Sequence, residues 1–367
     1  MNYNNEPGKL NDLTLKQIKQ KLGILEEEKS KEERGKVTYS KNFSISLSNY
    51  CENQCGYCFF NYKIPKLNGE GNVILLDNER MVTLIQQALR YNCKEALLIS
   101  GERPDTFFEV KHELEERGCE DFIEFVKDIC IYLLDFNLLP HTNIGLLSYD
   151  EMKELKNYNA SMGLMLESTS KMLFQQGGVH EESPGKLPEK RIAHLKNAGK
   201  LKIPFTTGLL IGIGENQDDR LNDLILIKQI HEEYGHIQEV IIQNFVQKAN
   251  VPYKPKKLLE IREVLKVVGI AKLLFDGEIS VQVPPNLVSG YEKDFIEMGI
   301  DDFGGISPFT DDLINPEKPW PQLTMLEKAC NQLGRRLVER LPVYEKFINK
   351  PGFCSETIKK KINNITI

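Results

Sequence analysis

The chain has 367 residues, 41% of them hydrophobic and 27% charged, with a formal charge of −6. That length buries roughly three quarters of the unfolded surface, enough for one large domain or two ordinary ones. The acidic balance argues against nucleic-acid binding, the lack of any run of about 18 apolar residues against a membrane span, and the polar start from Met1 to Lys9 against a signal peptide, so a cytoplasmic location is expected.

Residues 10–34 are rich in Lys and Glu, with Leu15, Ile18, Leu22 and Leu25 on one helical stripe. They predict a helix within an N-terminal extension, residues 1–41, whose other faces are charged and solvated. From Phe43 onward short apolar runs alternate with helical patterns. Strands are expected over Phe43–Leu47, Ala96–Ile99, Leu138–Thr142, Ser161–Leu166, Phe205–Ile211, Val240–Gln243, Ser280–Val283 and, on a weaker pattern, Asp302–Gly304. Helices are expected over Asn78–Tyr91, around Phe122 to Leu133, and after the capping-box pattern Ser148-x-x-Glu151. More follow over Pro188–Ala198, Leu221 to Lys228, Ile261 to Val268 and Tyr291–Met298. A final long helix carries Leu323, Leu326, Cys330 and Leu333. This alternation implies an α/β fold with a parallel sheet, and eight units imply a closed (β/α)8 TIM-type barrel over residues 42–345. An open six-stranded barrel with an appendage is the alternative. Residues 346–367 read as a polar tail, loosely held after Pro351 and Gly352.

The densest chemistry is the run Cys51-Glu-Asn-Gln-Cys55-Gly-Tyr57-Cys58. Three thiolates spaced C-x3-C-x2-C can wrap one metal centre and leave a four-coordinate site one ligand short. Structural zinc usually closes with four ligands in separated pairs, and only one C-x2-C pair is present. A disulfide would strand one cysteine of the three. Thiolates are the usual ligands of iron–sulfur clusters, so a cluster is the favoured reading and zinc the alternative. Cys93, Cys119, Cys130, Cys330 and Cys354 are scattered, and Cys130 reads as packing.

In such barrels polar groups at the C-terminal strand ends gather into the active site. After the second strand, Ser100-Gly101-Glu102 offers close backbone approach and a carboxylate able to accept from an ammonium. An ordinary turn with a surface Glu explains it equally well. Glu167-Ser168 follows the fourth strand, and Gly208 to Gly212 and Glu215 form a glycine-rich end to the fifth. No Gly-Lys-Ser/Thr and no G-x-G-x-x-G accompany it, so neither a Walker loop nor a dinucleotide site is supported. The same rim carries Thr142, Thr206, Thr207, Asn244, Gln282 and Ser307, a set suited to a neutral ligand with many heteroatoms. The catalytic candidates are His141, Asn143, Gln243 and Asn286. His141 is the expected acid–base group, with an ordinary pKa of about 6.5.

The cysteine run, with Tyr57 before its last cysteine, resembles the signature of the radical S-adenosylmethionine (SAM) enzymes. The resemblance implies one [4Fe–4S] cluster on Cys51, Cys55 and Cys58. It also implies S-adenosyl-L-methionine at the fourth iron, cleaved to methionine and a hydrogen-abstracting 5′-deoxyadenosyl radical. Ser100-Gly101-Glu102 resembles the family's Gly-Gly-Glu motif, which holds the methionine amino group, with Ser100 in place of the first Gly. Glu167 resembles a ribose-contacting residue. Gly208–Glu215 resembles a pattern beside the adenine. Tyr57, Gly101, Glu102, Glu167, Gly212 and Glu215 are thereby implied as cofactor-binding residues.

Longer stretches narrow the resemblance. They include Leu139-Pro-His-Thr-Asn143, His180-Glu-Glu-Ser-Pro-Gly185, Leu201-Lys-Ile-Pro-Phe-Thr-Thr-Gly208 and Gly304-Gly-Ile-Ser-Pro308. Together they resemble the 7,8-didemethyl-8-hydroxy-5-deazariboflavin synthase family over about residues 42–345. What this implies is a lyase of deazaflavin coenzyme biosynthesis that closes a ribityl-uracil adduct with release of ammonium. It implies a partner subunit that makes the adduct and a flavodoxin- or ferredoxin-type electron donor. A sister radical enzyme, either the tyrosine/diaminouracil-joining subunit or a menaquinone-pathway cyclase, and a non-catalytic metal-binding module are the alternatives.

Overall fold

The structure is a computed structural model that describes residues 8–27, 35–64 and 72–365. Eight parallel strands close a barrel: β1 (Lys36–Ser48), β2 (Glu95–Ser100), β3 (Leu139–Asn143), β4 (Ser161–Gly163), β5 (Phe205–Ile211), β6 (Ile237–Asn244), β7 (Ser280–Gln282) and β8 (Asp302–Ile306). They pair in sequence order, and β1 closes the ring by pairing with both β8 and β2. The open-barrel alternative is thereby set aside. Each expected strand and helix is present, with ends displaced by a few residues. The first halves of β1 and β6 mix polar with apolar residues and lie outside the apolar runs that mark strands in sequence, so both strands extend beyond their expected bounds.

One strand was not expected. The helix Leu323–Gln332 stops just before Gly334, which is in a left-handed conformation (φ +69°), and the chain continues as β9 (Arg336–Arg340). β9 runs parallel to the first half of β1, pairing Lys36 with Arg336 through Ser40 with Arg340, while β2 takes the second half from Asn42. Arg-Leu-Val-Glu-Arg carries too little apolar alternation to signal a strand. β9 brings Arg340 to the N-terminal end of the barrel, where its guanidinium meets Asp302 of β8 at 2.5 and 2.8 Å and Glu239 of β6 at 3.1 Å.

The two faces of β1 divide the molecule. Phe43, Ile45 and Leu47 are fully buried in the apolar core outside the barrel, and by strand alternation Asn42 and Ser44 turn inward to a cavity of about 200 Å³. Barrel interiors of this class are usually filled by branched apolar side chains. Here the interior is open, and polar groups such as Asn42, His141 and Glu239 line it among apolar ones.

Both ends of the chain pack on the barrel. The N-terminal helix Leu15–Glu27 buries Ile18 and Leu22 as its stripe predicts, with Ile18 seated against Gly269, where a Cβ would come within 2.4 Å of Ile18 Cγ2. The side chain of Leu25 and residues 28–34 lie outside the described residues. The C-terminal residues are not loose. Helices Glu345–Ile348 and Glu356–Asn363 bury Phe347, Phe353 and Ile358 against Leu134, Leu139 and Ala160, an apolar spacing that the surrounding lysines obscure. No helix of the described residues is long and apolar enough to cross a membrane.

Two outcomes follow from this packing. Phe347→Ala should cost about 3–5 kcal/mol, seen as a lower melting temperature; an unchanged one would contradict the docking of the C-terminal helices. His194, on helix Pro188–Lys200, is buried and accepts the Leu147 N–H at 3.1 Å through Nδ1, and burial, helped by Arg191, pushes its pKa down to about 3. Unfolded His titrates near 6.5, so this contribution is complete above that pH and drains as pH falls towards 3. Lowering pH from 7 to 5 should cost about 2 kcal/mol at this residue, and His194→Gln should make the fall in melting temperature with acidity shallower.

Candidate active site

The cysteine run leaves the C-terminal end of β1 and is pinned from four directions. Glu52 N–H donates to Glu102 O, Gln54 N–H to Glu182 O, Gly56 N–H to Val179 O, and Tyr253 N–H to Gly56 O, all within 3.0 Å. Asn53 adds a side-chain bond, its Oδ1 accepting Gly185 N–H at 2.7 Å. Cys51, Cys55 and Cys58 line one cavity of about 250 Å³ at the barrel mouth. Burial pushes the Cys51 thiol up to about 12 and raises that of Cys55. Two donors point at the sulfurs: Glu102 N–H at 3.2 Å from Cys51 Sγ and Ser183 O–H at 3.4 Å from Cys55 Sγ. Among the described residues no group of three or more His, Cys, Asp or Glu gathers as single-ion ligands do. A polynuclear cluster is larger than one ion, so its thiolates need not converge on a point. Tyr57 is buried in the same cavity wall, its hydroxyl paired with His180 Nε2 at 2.9 Å. Burial, with Lys186 and Arg191 nearby, pushes His180 down to about 2 and keeps it neutral.

Gly101 and Glu102 lie directly under this loop. A Cβ on Gly101 would sit 1.9 Å from Tyr50 O and 2.8 Å from Cys51 Cβ, so only glycine allows the end of β2 to pass so close. Ser100, in place of the motif's first glycine, fits because its hydroxyl donates to Ser48 O at 3.2 Å. The Glu102 carboxylate is 3% exposed and lies against Gly145 and Gly185, where side chains would collide with it. Oε2 faces Arg191 Nη2 at 3.4 Å, whereas Oε1 is buried with no hydrogen-bond partner. An unpaired buried carboxylate oxygen is costly unless something else supplies a donor.

Glu167 lines the same cavity in a left-handed conformation (φ +64°), uncommon for a residue with a side chain. It is held there on both sides. Its N–H donates to Gly208 O and its carbonyl accepts Leu210 N–H, while Asp223 of helix Gln217–Tyr234 accepts from Ser168 Oγ at 2.8 Å and Thr169 N–H at 3.0 Å. Burial raises the Asp223 carboxyl to about 6. The Glu167 carboxylate pairs with partly buried Lys186 at 2.6 Å. Lys186 and Arg191 were missed in sequence. They sit on a loop and on a helix that read there only as structure, yet together with Lys248 they are the cations that line the site.

Gly212 and Glu215 have a different placement. Gly212 has φ +91°, and its N–H and that of Ile213 donate to the Glu215 carboxylate at 2.7 and 2.8 Å. Arg220 completes the cluster at 2.7 Å, with both side chains buried. Glu215 is therefore spent inside the turn. It fixes the glycine loop, and the cavity is met instead by Leu210 on one side and Phe245 and Val246 on another, an apolar wall.

The catalytic candidates divide by depth. Asn143 and Gln243 border both the mouth cavity and the barrel interior. His141 lies deeper, facing the interior, with Nδ1 2.6 Å from Ser161 Oγ. Burial, with Arg340 nearby, pushes it down to about 3, so the ordinary pKa expected from sequence does not hold and the imidazole is neutral. Asn286 stands behind the loop after β8, donating to Asp312 Oδ2 at 2.9 Å and Lys318 O at 3.1 Å.

Residues 45–227 match the model of the Radical SAM superfamily. The chain is 47% identical to the 7,8-didemethyl-8-hydroxy-5-deazariboflavin synthase of Methanococcus vannielii over 89% of its own length and 90% of the relative's. It is 46% identical to that of Methanocaldococcus jannaschii over 89% and 88%. The chain belongs to the 7,8-didemethyl-8-hydroxy-5-deazariboflavin synthase family. Its fold also matches HydG, a maturase of the [FeFe]-hydrogenase, with a TM-score of 0.71 at 15% identity over 90% of this chain and 72% of that one. This synthase-family chain is thus a radical SAM enzyme with a closed barrel. Its thiols, its unpaired carboxylate oxygen and the cations Lys186, Arg191 and Lys248 all meet at one mouth.

The Glu215 turn gives a direct check on the site's framework. Glu215→Ala leaves a buried guanidinium and two N–H groups without acceptors and should cost about 3–5 kcal/mol. Glu215→Gln, which keeps one acceptor, should lower the melting temperature less. Equal loss in the two variants would contradict this account of the turn.

Proposed function

We propose that the protein closes the deazaflavin ring system. It would convert 5-amino-5-(4-hydroxybenzyl)-6-(D-ribitylimino)-5,6-dihydrouracil to 7,8-didemethyl-8-hydroxy-5-deazariboflavin with release of ammonium. One observation carries this reading. Three thiols and the unpartnered Glu102 Oε1 line a cavity that opens, past Asn143 and Gln243, onto a polar barrel interior. The synthases of Methanococcus vannielii and Methanocaldococcus jannaschii, to which the chain is similar, support the product.

The donor set fits one [4Fe–4S] cluster on Cys51, Cys55 and Cys58 and S-adenosyl-L-methionine beside it. When bound, these supply hydrogen-atom abstraction, chemistry that the protein orients but does not itself perform. Glu102 Oε1 would accept from the methionine ammonium, which satisfies a buried carboxylate oxygen that the fold leaves bare beside the thiols. Lys186 and Arg191 would offset carboxylate charge, and Glu167, locked by Asp223, would meet the ribose. Gly212 and Glu215 would act on the adenine side only by holding the strand end. The N–H and O–H donors at Cys51 and Cys55 would tune the cluster's potential. Asn143 and Gln243 would hold the uracil amides where the two cavities meet. His141, neutral, would serve as a hydrogen-bond partner, not as a proton donor. Asn286 would support the Asp312 loop over the mouth. A partner subunit supplying the adduct and a flavodoxin- or ferredoxin-type donor complete the reading, in a cytoplasmic setting that keeps thiols reduced.

Anaerobic incubation with the adduct, a reductant and S-adenosyl-L-methionine should give 5′-deoxyadenosine and the fluorescent deazaflavin by mass spectrometry. Neither product from protein with an intact cluster would refute the assignment. Cys51→Ala, Cys55→Ala or Cys58→Ala should abolish turnover while leaving the barrel folded. Glu102→Ala should weaken cofactor binding roughly tenfold or more with iron content unchanged; normal binding would show that Oε1 has no such partner.

A further inference from the structure

The barrel interior ends on polar groups set among apolar ones such as Phe303 and Pro342. At the N-terminal ends of the strands, opposite the cysteines, it ends on Glu95, His141, Thr206, Glu239 and Arg340, with Asn42 above them. Resting on the ring-closing reading, we propose that this floor seats the ribityl chain of the substrate and so sets which end of the molecule faces the cofactor.

The argument is a count of donors and acceptors. Arg340 is the floor's cation, and its guanidinium is already spent on Asp302 and Glu239. Ser161 Oγ donates its hydrogen to Pro342 O at 2.8 Å, so at 2.6 Å from His141 it must accept from Nδ1–H. That fixes the tautomer and leaves His141 Nε2 as a bare acceptor, with room beside it because Gly163 carries no side chain. Asn42 Oδ1 is buried with no hydrogen-bond partner. The Glu239 carboxylate receives only Arg340 and a long bond from Thr206 at 3.3 Å, and Glu95 adds a second carboxylate. The floor is therefore rich in acceptors and poor in free donors.

A run of hydroxyls is the ligand class that meets this need, since each hydroxyl donates one hydrogen and still accepts. A phosphate brings only acceptors and negative charge to a floor whose cation, Arg340, is already paired. A hydroxybenzyl ring in the same place would leave most of the acceptors unpaired. Geometry agrees. The cysteines stand at the opposite mouth, so the reacting part of the substrate must lie near Asn143 and Gln243, and its inert polyol must hang towards Glu239.

Equilibrium binding to the anaerobically reconstituted holoenzyme tests this without turnover. The probes are 7,8-didemethyl-8-hydroxy-5-deazariboflavin, its analogue with ethyl in place of ribityl, and its ribityl 5′-phosphate, each followed by deazaflavin fluorescence. The ribityl form should bind at least about tenfold tighter than the ethyl form, and the phosphate about tenfold weaker than the ribityl form. Glu239→Gln and, separately, Thr206→Val should shrink the ribityl-to-ethyl ratio to within about threefold while leaving ethyl-form affinity unchanged. Equal binding of ribityl and ethyl forms by the unaltered protein would overturn the polyol site and leave the ring-closing reading standing. Binding of none of the probes would overturn the reading beneath it.

Discussion

Everything at the mouth of this barrel depends on one close crossing, where the end of β2 passes beneath the loop that leaves β1. At Gly101 there is no space for even one carbon beyond the backbone, because Tyr50 O occupies the position a Cβ would take. That contact lets Glu102 N–H reach Cys51 Sγ while the Glu102 carboxylate turns into the cavity beside the thiols. A metal-ligating loop and an ammonium acceptor are thereby set by the same few atoms. Neither can move without the other, which is the preorganisation a reactive cofactor requires.

The framework around this crossing is built from buried polar groups whose partners are nearly all internal. Asp223 fixes the left-handed turn at Glu167, Glu215 with Arg220 fixes the glycine turn after β5, and Asn53 ties the cysteine loop to Gly185. Such networks add little net stability, but leaving one half-satisfied is expensive, so each resists alternative arrangements. Against that background the bare atoms stand out. Glu102 Oε1 at the mouth and Asn42 Oδ1 in the interior lack partners, and both residues line a cavity.

Much of the fold was legible because apolar runs of strand length alternate with helical periodicity from Phe43 to Leu333, and because three cysteines so spaced have few uses. Gly101 and Glu102 were legible through the same logic of close approach. Lys186, Arg191 and Arg340 were not. Their role arises from contacts across long sequence separations, Arg191 to Glu102 and Arg340 to Glu239, and a lone Lys or Arg in a loop or helix reads as a solvated charge. The family resemblance implies Glu215 on the cofactor side, whereas its carboxylate turns back on its own loop. His141 was read with an ordinary pKa because burial, which decides the shift, has no local signature.

The central claim is that three thiols hold a cluster with one open corner and that a neighbouring carboxylate steers a second group onto it. Electron paramagnetic resonance of the reduced protein, with iron and sulfide counted, tests it most directly. The account predicts four irons and four sulfides per chain and a spectrum that changes when S-adenosyl-L-methionine is added. A full cluster whose spectrum ignores the added cofactor, or a colourless protein that holds zinc in place of iron, would contradict it.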